Sequence, residues 1–141
     1  MEPALLDSSV YISAFRGDIT AAEVDSLTAG MKLWLSAVVL QELYAGATDQ
    51  DGRLVEELER SFLEARTIMV PELTDWSKAG KIMAQVAAKY GYEKIGRGRL
   101  ANDALIAASA ARAGIRVLTA NAHDFSRLAE FCGLSWQVVS L

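Results

Sequence analysis

The sequence has very little of the side chains on which several kinds of site depend. It contains one cysteine, Cys132, and one histidine, His123, in 141 residues. A single cysteine excludes an internal disulfide and fits a reducing compartment. One histidine and one cysteine cannot supply the usual ligands of zinc. The G-x-S-x-G and G-x-x-x-x-G-K-[ST] motifs are also absent, which argues against a serine hydrolase and a P-loop protein.

Long apolar runs and a leader are missing as well. No segment approaches the roughly 18–20 apolar residues that a membrane helix needs. No basic-then-apolar leader opens the sequence. Hydrophobic residues make up 52% of the chain, the mean hydropathy is +0.18, and the formal net charge is −4. These values predict a well-packed cytoplasmic protein without a membrane partner, formed by one domain over residues 1–141.

Short apolar runs alternate with amphipathic segments along the whole chain. Strands are predicted at residues 4–6, 33–36, 68–70, 117–118 and 136–139. Helices are predicted at residues 8–15, 20–29, 38–45, 54–65, from Thr74 or Asp75 to about 90, 100–113 and 124–131, with a polar turn at 49–53 and a loop at 90–99. Because strands separated by helices pair in parallel through right-handed crossovers, the pattern predicts a three-layer α/β/α domain with a mostly parallel sheet of about five strands. The order of the strands stays open.

Four carboxylates stand at comparable places in this pattern. Asp7 directly follows the first strand, Glu42 lies in the helix after the second, and Asp124 follows the fourth. Asp103 lies one turn into the most apolar helix. Since ligands of open α/β sheets bind beyond the carboxyl ends of the strands, these side chains can converge on one site. Two polar residues at the end of the fourth strand, Thr119 and Asn121, would face the same place.

Each of these residues also has a plainer explanation. Asp7 and Asp124 are good helix N-caps, Glu42 could be an ordinary solvated glutamate, and Thr119 and Asn121 could form a turn. His123 fits a surface loop better than a catalytic base.

Asp103 is harder to explain in this way. An unpaired ionised carboxylate in so apolar a helix costs several kcal/mol, and a helix N-terminus returns only about 0.3–1 kcal/mol. A cation must therefore compensate the charge of Asp103. Either Arg99 or a bound metal could supply it.

The chemistry of the donors indicates which metal would fit. Convergent carboxylate oxygens without a histidine or cysteine cluster suit hard cations such as Mg²⁺ or Mn²⁺, which keep bound waters and favour phosphate substrates. The net charge of the chain is negative, but residues 89–99 carry four cations, Lys89, Lys94, Arg97 and Arg99, against one anion, Glu93. That stretch could contact phosphates, or it could be a solvated turn.

The four segments that carry these residues resemble a known family. LLDSSVYI, VVLQELYAG, RLANDALIAASA and VLTANAHDF, in this order and spacing, are similar to motifs of PIN-domain ribonucleases, and most of all to the compact VapC-type toxins of prokaryotic toxin–antitoxin pairs. The resemblance implies that Asp7, Glu42, Asp103 and Asp124 form an acidic quartet around Mg²⁺ or Mn²⁺. Within this quartet we expect Asp7, Asp103 and Asp124 to bind the metal, with Glu42 as a ligand through water or an activator of the nucleophile.

The same resemblance implies a substrate and partners. The activity would be endonucleolytic cleavage of RNA, with Thr119 and Asn121 lining the pocket. For such a substrate, the charge pattern makes Lys94, Arg97 and Arg99 the candidates for holding phosphates. A cognate antitoxin and a homodimer are expected. In the sequence itself, the polar edges of the helix at residues 54–66 would suit a partner-binding groove. Alternatives are an RNA-processing nuclease that is not a toxin and an inactive, partner-binding member. A receiver-like signalling module is disfavoured, because it needs adjacent acids after the first strand and a lysine after the last.

Overall fold

The computed structural model describes residues 1–91 and 98–141, with all their side chains except that of Arg99. Five strands form its sheet: β1 (Glu2–Leu6), β2 (Met31–Ser36), β3 (Ile68–Met69), β4 (Arg116–Thr119) and β5 (Trp136–Val138). They lie in the order β3-β2-β1-β4-β5, and every pairing is parallel. The predicted parallel sheet of about five strands is therefore confirmed.

Seven helices lie within these residues, and with the sheet they form the predicted three-layer α/β/α architecture. They are α1 (Ser8–Arg16), α2 (Ala21–Leu27), α3 (Ala37–Gly46), α4 (Asp49–Ala65), α5 (Leu73–Tyr90), α6 (Gly98–Ala113) and α7 (Ala122–Ala129). Helix α3 packs against α1 and α4, whereas α5, α6 and α7 pack against one another. None of the helices described is both long and apolar enough to cross a membrane.

The core lies between the central strands and the helices beside them. Leu5 of β1, Leu35 of β2 and Leu118 of β4 are fully or almost fully buried. Helix α6 is apolar nearly all round, and Ala104 and Ile106 on it have no exposed surface. A helix with this pattern has to be covered on several sides, so the prediction that it is central is confirmed.

Two helix starts follow the local sequence. The carboxylate of Asp7 accepts a hydrogen bond from the backbone N–H of Ser9 and caps α1. Thr20 caps α2, and its hydroxyl and the side chain of Glu23 form the reciprocal capping box that the sequence predicts. Both motifs depend on residues two or three positions apart, so no distant contact is needed to predict them.

Other helix boundaries were predicted wrongly. The supposed turn at residues 49–53 belongs to α4, because the hydroxyl of Thr48 caps that helix and acidic residues favour its first turn. Neither Thr74 nor Asp75 caps α5. Its N-cap is Glu72, and the Asp75 carboxylate accepts from the backbone N–H of Glu72 and from Arg112.

Helix α6 also begins earlier than expected, at Gly98 rather than at residue 100. Arg99 is therefore helical and does not belong to the predicted loop. Lys94 and Arg97 lie outside the described residues.

Candidate metal centre at the carboxyl edge of the sheet

Asp7 lies where the two central strands end side by side. Leu6 is paired with Leu118, and the backbone N–H of Asp7 donates to the carbonyl of Leu118 over 3.0 Å. The pairing places Asp7, the first residue after β1, beside the carboxyl end of β4. Asp7 is 4% exposed, so its carboxylate lies within the protein at the carboxyl edge of the sheet.

Three donors hold the carboxylate of Asp7. Its Oδ1 accepts from the backbone N–H of Ser9 at 3.0 Å and from the Ser9 hydroxyl. Its Oδ2 accepts from the hydroxyl of Thr119 at 2.5 Å. The Ser9 oxygen in turn accepts from the backbone N–H of Ala120 at 3.1 Å, and the Thr119 oxygen accepts from that of Asn121 at 2.9 Å. The network fixes the rotamer of Asp7, although one partner, Thr119, lies 112 residues away in the sequence.

Asn121 joins two further carboxylates. Its side-chain amide donates to Asp124 at 3.0 Å and makes a longer contact of 3.5 Å to Asp103. Its carbonyl oxygen accepts from the backbone N–H of Asp124, so Asn121 is the N-cap of α7. The predicted cap, Asp124, is the third residue of the helix instead. Asn and Asp are both good N-caps, so residue type alone could not decide between them. Helix α7 begins earlier than predicted, and its cap Asn121 also contacts the buried Asp103.

The carboxylates surround a polar cavity of about 310 Å³. It is lined by residues from the position after β1, from α1, α3 and α6, and from the segment after β4: Asp7, Ser8, Ser9, Glu42, Asp103, Ala120 and Asn121. Glu42 is half-buried there and is not the fully solvated glutamate that the sequence also allowed. Asp124 adjoins the cavity through Asn121, whereas His123 is exposed on the first turn of α7. The structure thus brings three of the four acids to one cavity and the fourth beside it.

Burial governs the ionisation of Asp7. It raises the pKa of this carboxyl above its ordinary value, although the hydrogen bonds from Ser9, Thr119 and the backbone act in the opposite direction. Asp103 is equally enclosed, at 5% exposed. A cavity lined by two buried carboxylates favours a cation that can enter it, since the cation offsets the cost of burying their charges.

The family model of the PIN domain matches residues 4–131 of this chain, which is most of its length and includes every residue of the cavity. The chain belongs to the PIN-domain family. PIN domains are nucleases, so hydrolysis of nucleic acid is the class of activity that this membership implies. The resemblance inferred from the four motifs is confirmed.

Solved structures show the same fold over nearly the whole chain. A DNA-bound VapBC from Salmonella typhimurium is 23% identical, with 98% of each chain covered and a TM-score of 0.68. VapBC-1 from nontypeable Haemophilus influenzae is 25% identical, with 96% of each chain covered and a TM-score of 0.63. VapBC-5 from Mycobacterium tuberculosis, a member of the VapBC family of toxin-antitoxin systems, is 23% identical over the full length of both chains, with a TM-score of 0.57. No curated protein sequence matches this PIN domain.

The donors of the cavity suit a hard divalent cation. They are carboxylate, hydroxyl and amide oxygens, which Mg²⁺ and Mn²⁺ prefer. Over residues 1–91 and 98–141, no three acidic, histidine or cysteine side chains are grouped closely enough to hold one ion together. Mg²⁺ commonly keeps several waters and takes only one or two protein carboxylates directly. The residues of the cavity therefore fit a Mg²⁺ ion that is bound partly through its waters.

Ser9 is the residue of this network that the sequence did not single out. Its hydroxyl bridges Asp7 and the backbone after β4. A signal was available, because a hydroxyl two residues after an N-capping Asp can fold back to the cap. Its second partner depends on β1 and β4 being neighbours. The alternative pairing of Asp103 with Arg99 involves a side chain outside the described part.

Proposed function

We propose that this PIN domain is a Mg²⁺- or Mn²⁺-dependent endoribonuclease that hydrolyses phosphodiester bonds of RNA in the cytoplasm. The observation that carries the proposal is the cavity at the carboxyl edge of the sheet. Three carboxylates from separate elements, Asp7, Glu42 and Asp103, line it, and Asp124 is tied to it through Asn121.

In this proposal the four acidic residues have different roles. Asp7, Asp103 and Asp124 hold the metal, directly or through its waters, and Glu42 either binds through a water or accepts a proton from the attacking water. Bound metal supplies a water of lowered pKa and neutralises charge on the scissile phosphate. Thr119 and Ser9 orient Asp7, and Asn121 keeps Asp103 and Asp124 near each other.

RNA would be held by the basic stretch before and at the start of α6. Lys94, Arg97 and Arg99 precede Asp103 by only four to nine residues in the chain. Such contacts to phosphates position the strand without reading its sequence, so the RNA that is cut has to be found by experiment.

Cleavage of total or transfer RNA with Mg²⁺ or Mn²⁺ tests this activity. Wild-type protein should cut, and Asp7→Asn and Asp103→Asn should reduce cutting by about 100-fold or more while remaining folded, because each removes a charge from the metal cavity. Asp25→Asn, the same change at an exposed position on α2, is the matched control and should cut as wild type does. Full metal-dependent cutting by both site variants would refute the assignment.

We further propose that the protein is the toxin of a VapBC-type pair, with an antitoxin as its partner. Helix α4 supports a partner surface. It carries six acidic residues and two arginines, a net charge of −4 that equals the formal charge of the whole chain. Leu54 and Leu63 on the same helix are 41% and 58% exposed. An acidic surface with exposed leucines suits a basic, amphipathic segment.

The product of a small neighbouring gene is the antitoxin to test. Co-expression should yield a complex in which RNA cutting is suppressed, and replacing Glu56 and Glu57 by lysine should weaken that complex. A homodimer is also proposed, for which exposed Leu73 and Trp76 on α5 offer apolar surface. Sedimentation over a range of concentrations would reveal it, and a monomer throughout would exclude it.

A further inference from the structure

Tyr90, the last residue of α5, contacts the far end of α7 with both its hydroxyl and its ring. The hydroxyl donates to one oxygen of Glu130, and Lys89 pairs with the other oxygen of that carboxylate. The guanidinium of Arg127 lies over the ring, with its carbon 4.1 Å from the ring centroid. Lys89, Tyr90, Arg127 and Glu130 are called the Tyr90 cluster below.

The helix that this cluster contacts begins at the acidic cavity. Asn121 caps α7 and binds Asp124 on its first turn. Arg127 and Glu130 follow Asp124 by three and six residues, which at 1.5 Å per residue is roughly 4–9 Å along the helix axis. The helix is therefore held at one end by the cavity and at the other by the Tyr90 cluster.

A helix this short needs such contacts. It has eight residues and would be marginal alone in water. Phe125 and Leu128 are fully buried and fasten it to the core. Apolar packing is non-directional, however, whereas the bonds of the Tyr90 cluster have defined directions and oppose rotation of α7 about its axis. Rotation of α7 would carry Asp124 away from Asp103 and Asn121.

We propose that Tyr90 is a positioning residue for the acidic cavity: by fixing the rotation of α7 it keeps Asp124 in place and raises the affinity for a divalent cation. The inference rests on the proposed function, since it concerns the same cavity. Tyr90 is not one of the residues that line the cavity, so it acts through α7.

Within the cluster, Tyr90 matters more than its charged neighbours. The Lys89–Glu130 pair is exposed to solvent, and such pairs contribute about 0–1 kcal/mol. Tyr90 makes two different contacts at once, a hydrogen bond to a carboxylate and a cation–π contact with Arg127. The hydrogen bonds from Lys89 and Tyr90 hold the pKa of Glu130 below its usual value, because both donors stabilise the ionised carboxylate.

Direct binding of Mn²⁺ to the purified chain, followed by electron paramagnetic resonance without RNA, tests the inference. Tyr90→Phe keeps the ring under Arg127 but loses the bond to Glu130, and should bind Mn²⁺ about 3-fold more weakly. Tyr90→Ala loses both contacts and should bind about 10-fold more weakly, the lower end of the range for residues that support metal ligands. Lys89→Gln should change the affinity less than 2-fold, about 0.4 kcal/mol.

A matched control separates positioning from general loss of stability. Arg112→Gln breaks the ion pair with Asp75, which joins α6 to the opposite end of the same helix α5. This variant should unfold at lower urea concentration but bind Mn²⁺ as wild type does. Equal weakening by Arg112→Gln and Tyr90→Ala would show that stability alone sets the affinity, and would overturn the inference.

Two further outcomes distinguish this inference from the proposed function. Unchanged Mn²⁺ affinity in folded Tyr90→Phe and Tyr90→Ala would overturn the positioning role and leave the metal centre intact. Absence of Mn²⁺ binding by the wild type, or equal binding by Asp103→Asn, would overturn the metal centre and the inference together.

Discussion

Asp7 and Asp75 are both buried carboxylates, but their surroundings shift their pKa values in opposite directions. Burial raises the pKa of Asp7, and its hydroxyl and backbone donors do not fully offset the shift. Burial also disfavours the charged form of Asp75. There the hydrogen bonds from Arg112 and the backbone of Glu72, with the charge of Arg112, lower the pKa overall. Ionised Asp7 therefore destabilises the folded protein, and ionised Asp75 stabilises it.

Removal of the charge of Asp7 should stabilise the metal-free protein. Because the pKa of Asp7 is raised in the folded state, the folded protein binds the proton more tightly than the unfolded chain does. The loss of folding stability caused by ionised Asp7 is therefore complete above the folded pKa and disappears in acid. We expect Asp7→Asn to raise the free energy of unfolding at pH 7 by roughly 0.5–2 kcal/mol, as at other functional sites. The gain should shrink as the pH falls towards 4. Urea unfolding with a chelator measures it, and an equal or lower stability at pH 7 would contradict this expectation.

Asp75 should behave in the opposite way. The pKa of Asp75 is depressed in the folded state, so its ionised carboxylate stabilises the fold. That stabilisation is complete above the pKa of an unfolded aspartate, about 3.9, and is lost as the pH falls through the folded pKa. Asp75→Asn should lower the free energy of unfolding at pH 7 by roughly 1–3 kcal/mol, since Arg112 loses its charged partner. The difference from wild type should narrow below about pH 4. A difference that stayed constant over that range would show that the charge of Asp75 is not its cause.

The residues of the site could be predicted to different extents. Asp7, Glu42 and Asp124 were recognisable from their positions after strands, and Asp103 from its place in an apolar helix. Thr119 and Asn121 followed from the same logic. The bridging role of Ser9 could not be predicted, because it requires the neighbourhood of β1 and β4, and the strand order was not derivable from local patterns.

At the scale of elements, the end of α4 has an uncommon conformation. Arg66 ends this helix in the left-handed region, with φ of 57°, where a side chain is disfavoured. Its backbone N–H still donates to carbonyls of the last turn, as in helix ends that use glycine. A non-glycine residue held in this conformation carries strain of roughly 1–2 kcal/mol.

Glycine at this position should relieve the strain. We expect Arg66→Gly to raise the free energy of unfolding by about 0.5–1 kcal/mol, because glycine adopts positive φ without a Cβ clash. Arg66→Ala removes the same charge but keeps the Cβ, and is the matched control. Chemical denaturation of the two variants gives the comparison, and no advantage of glycine over alanine would speak against strain at Arg66.

Helix starts show why some elements were predictable and others were not. The capping box of α2 was predicted correctly, because Thr20 and Glu23 contact only each other and the local backbone. The starts of α5 and α7 were placed too late. In both, a carboxylate that looked like a cap has partners elsewhere: Asp75 binds Arg112, and Asp124 is bound by Asn121 beside Asp103. Contacts between distant elements thus decided those boundaries.

At the scale of the whole molecule, the chain is acidic although the proposed substrate is a polyanion. Lys94 and Arg97, which stand in the most basic stretch of the sequence, would make the contacts to phosphates. Replacing both with alanine should weaken RNA binding and make its logarithm fall less steeply with the logarithm of salt concentration, by up to about 0.7 per lost contact on single strands. Binding titrations at several salt concentrations measure the slope. An unchanged slope would remove these residues from the RNA surface.

The sheet order has a consequence for how the protein comes into being on the ribosome. The hydroxyl that holds the second oxygen of Asp7 belongs to Thr119, which is synthesised 112 residues later. At roughly 5–20 residues per second, several seconds separate the synthesis of the two. A nascent or truncated chain that stops before β4 therefore lacks the hydrogen bond that orients Asp7, and the cavity can form only after β4 has been made.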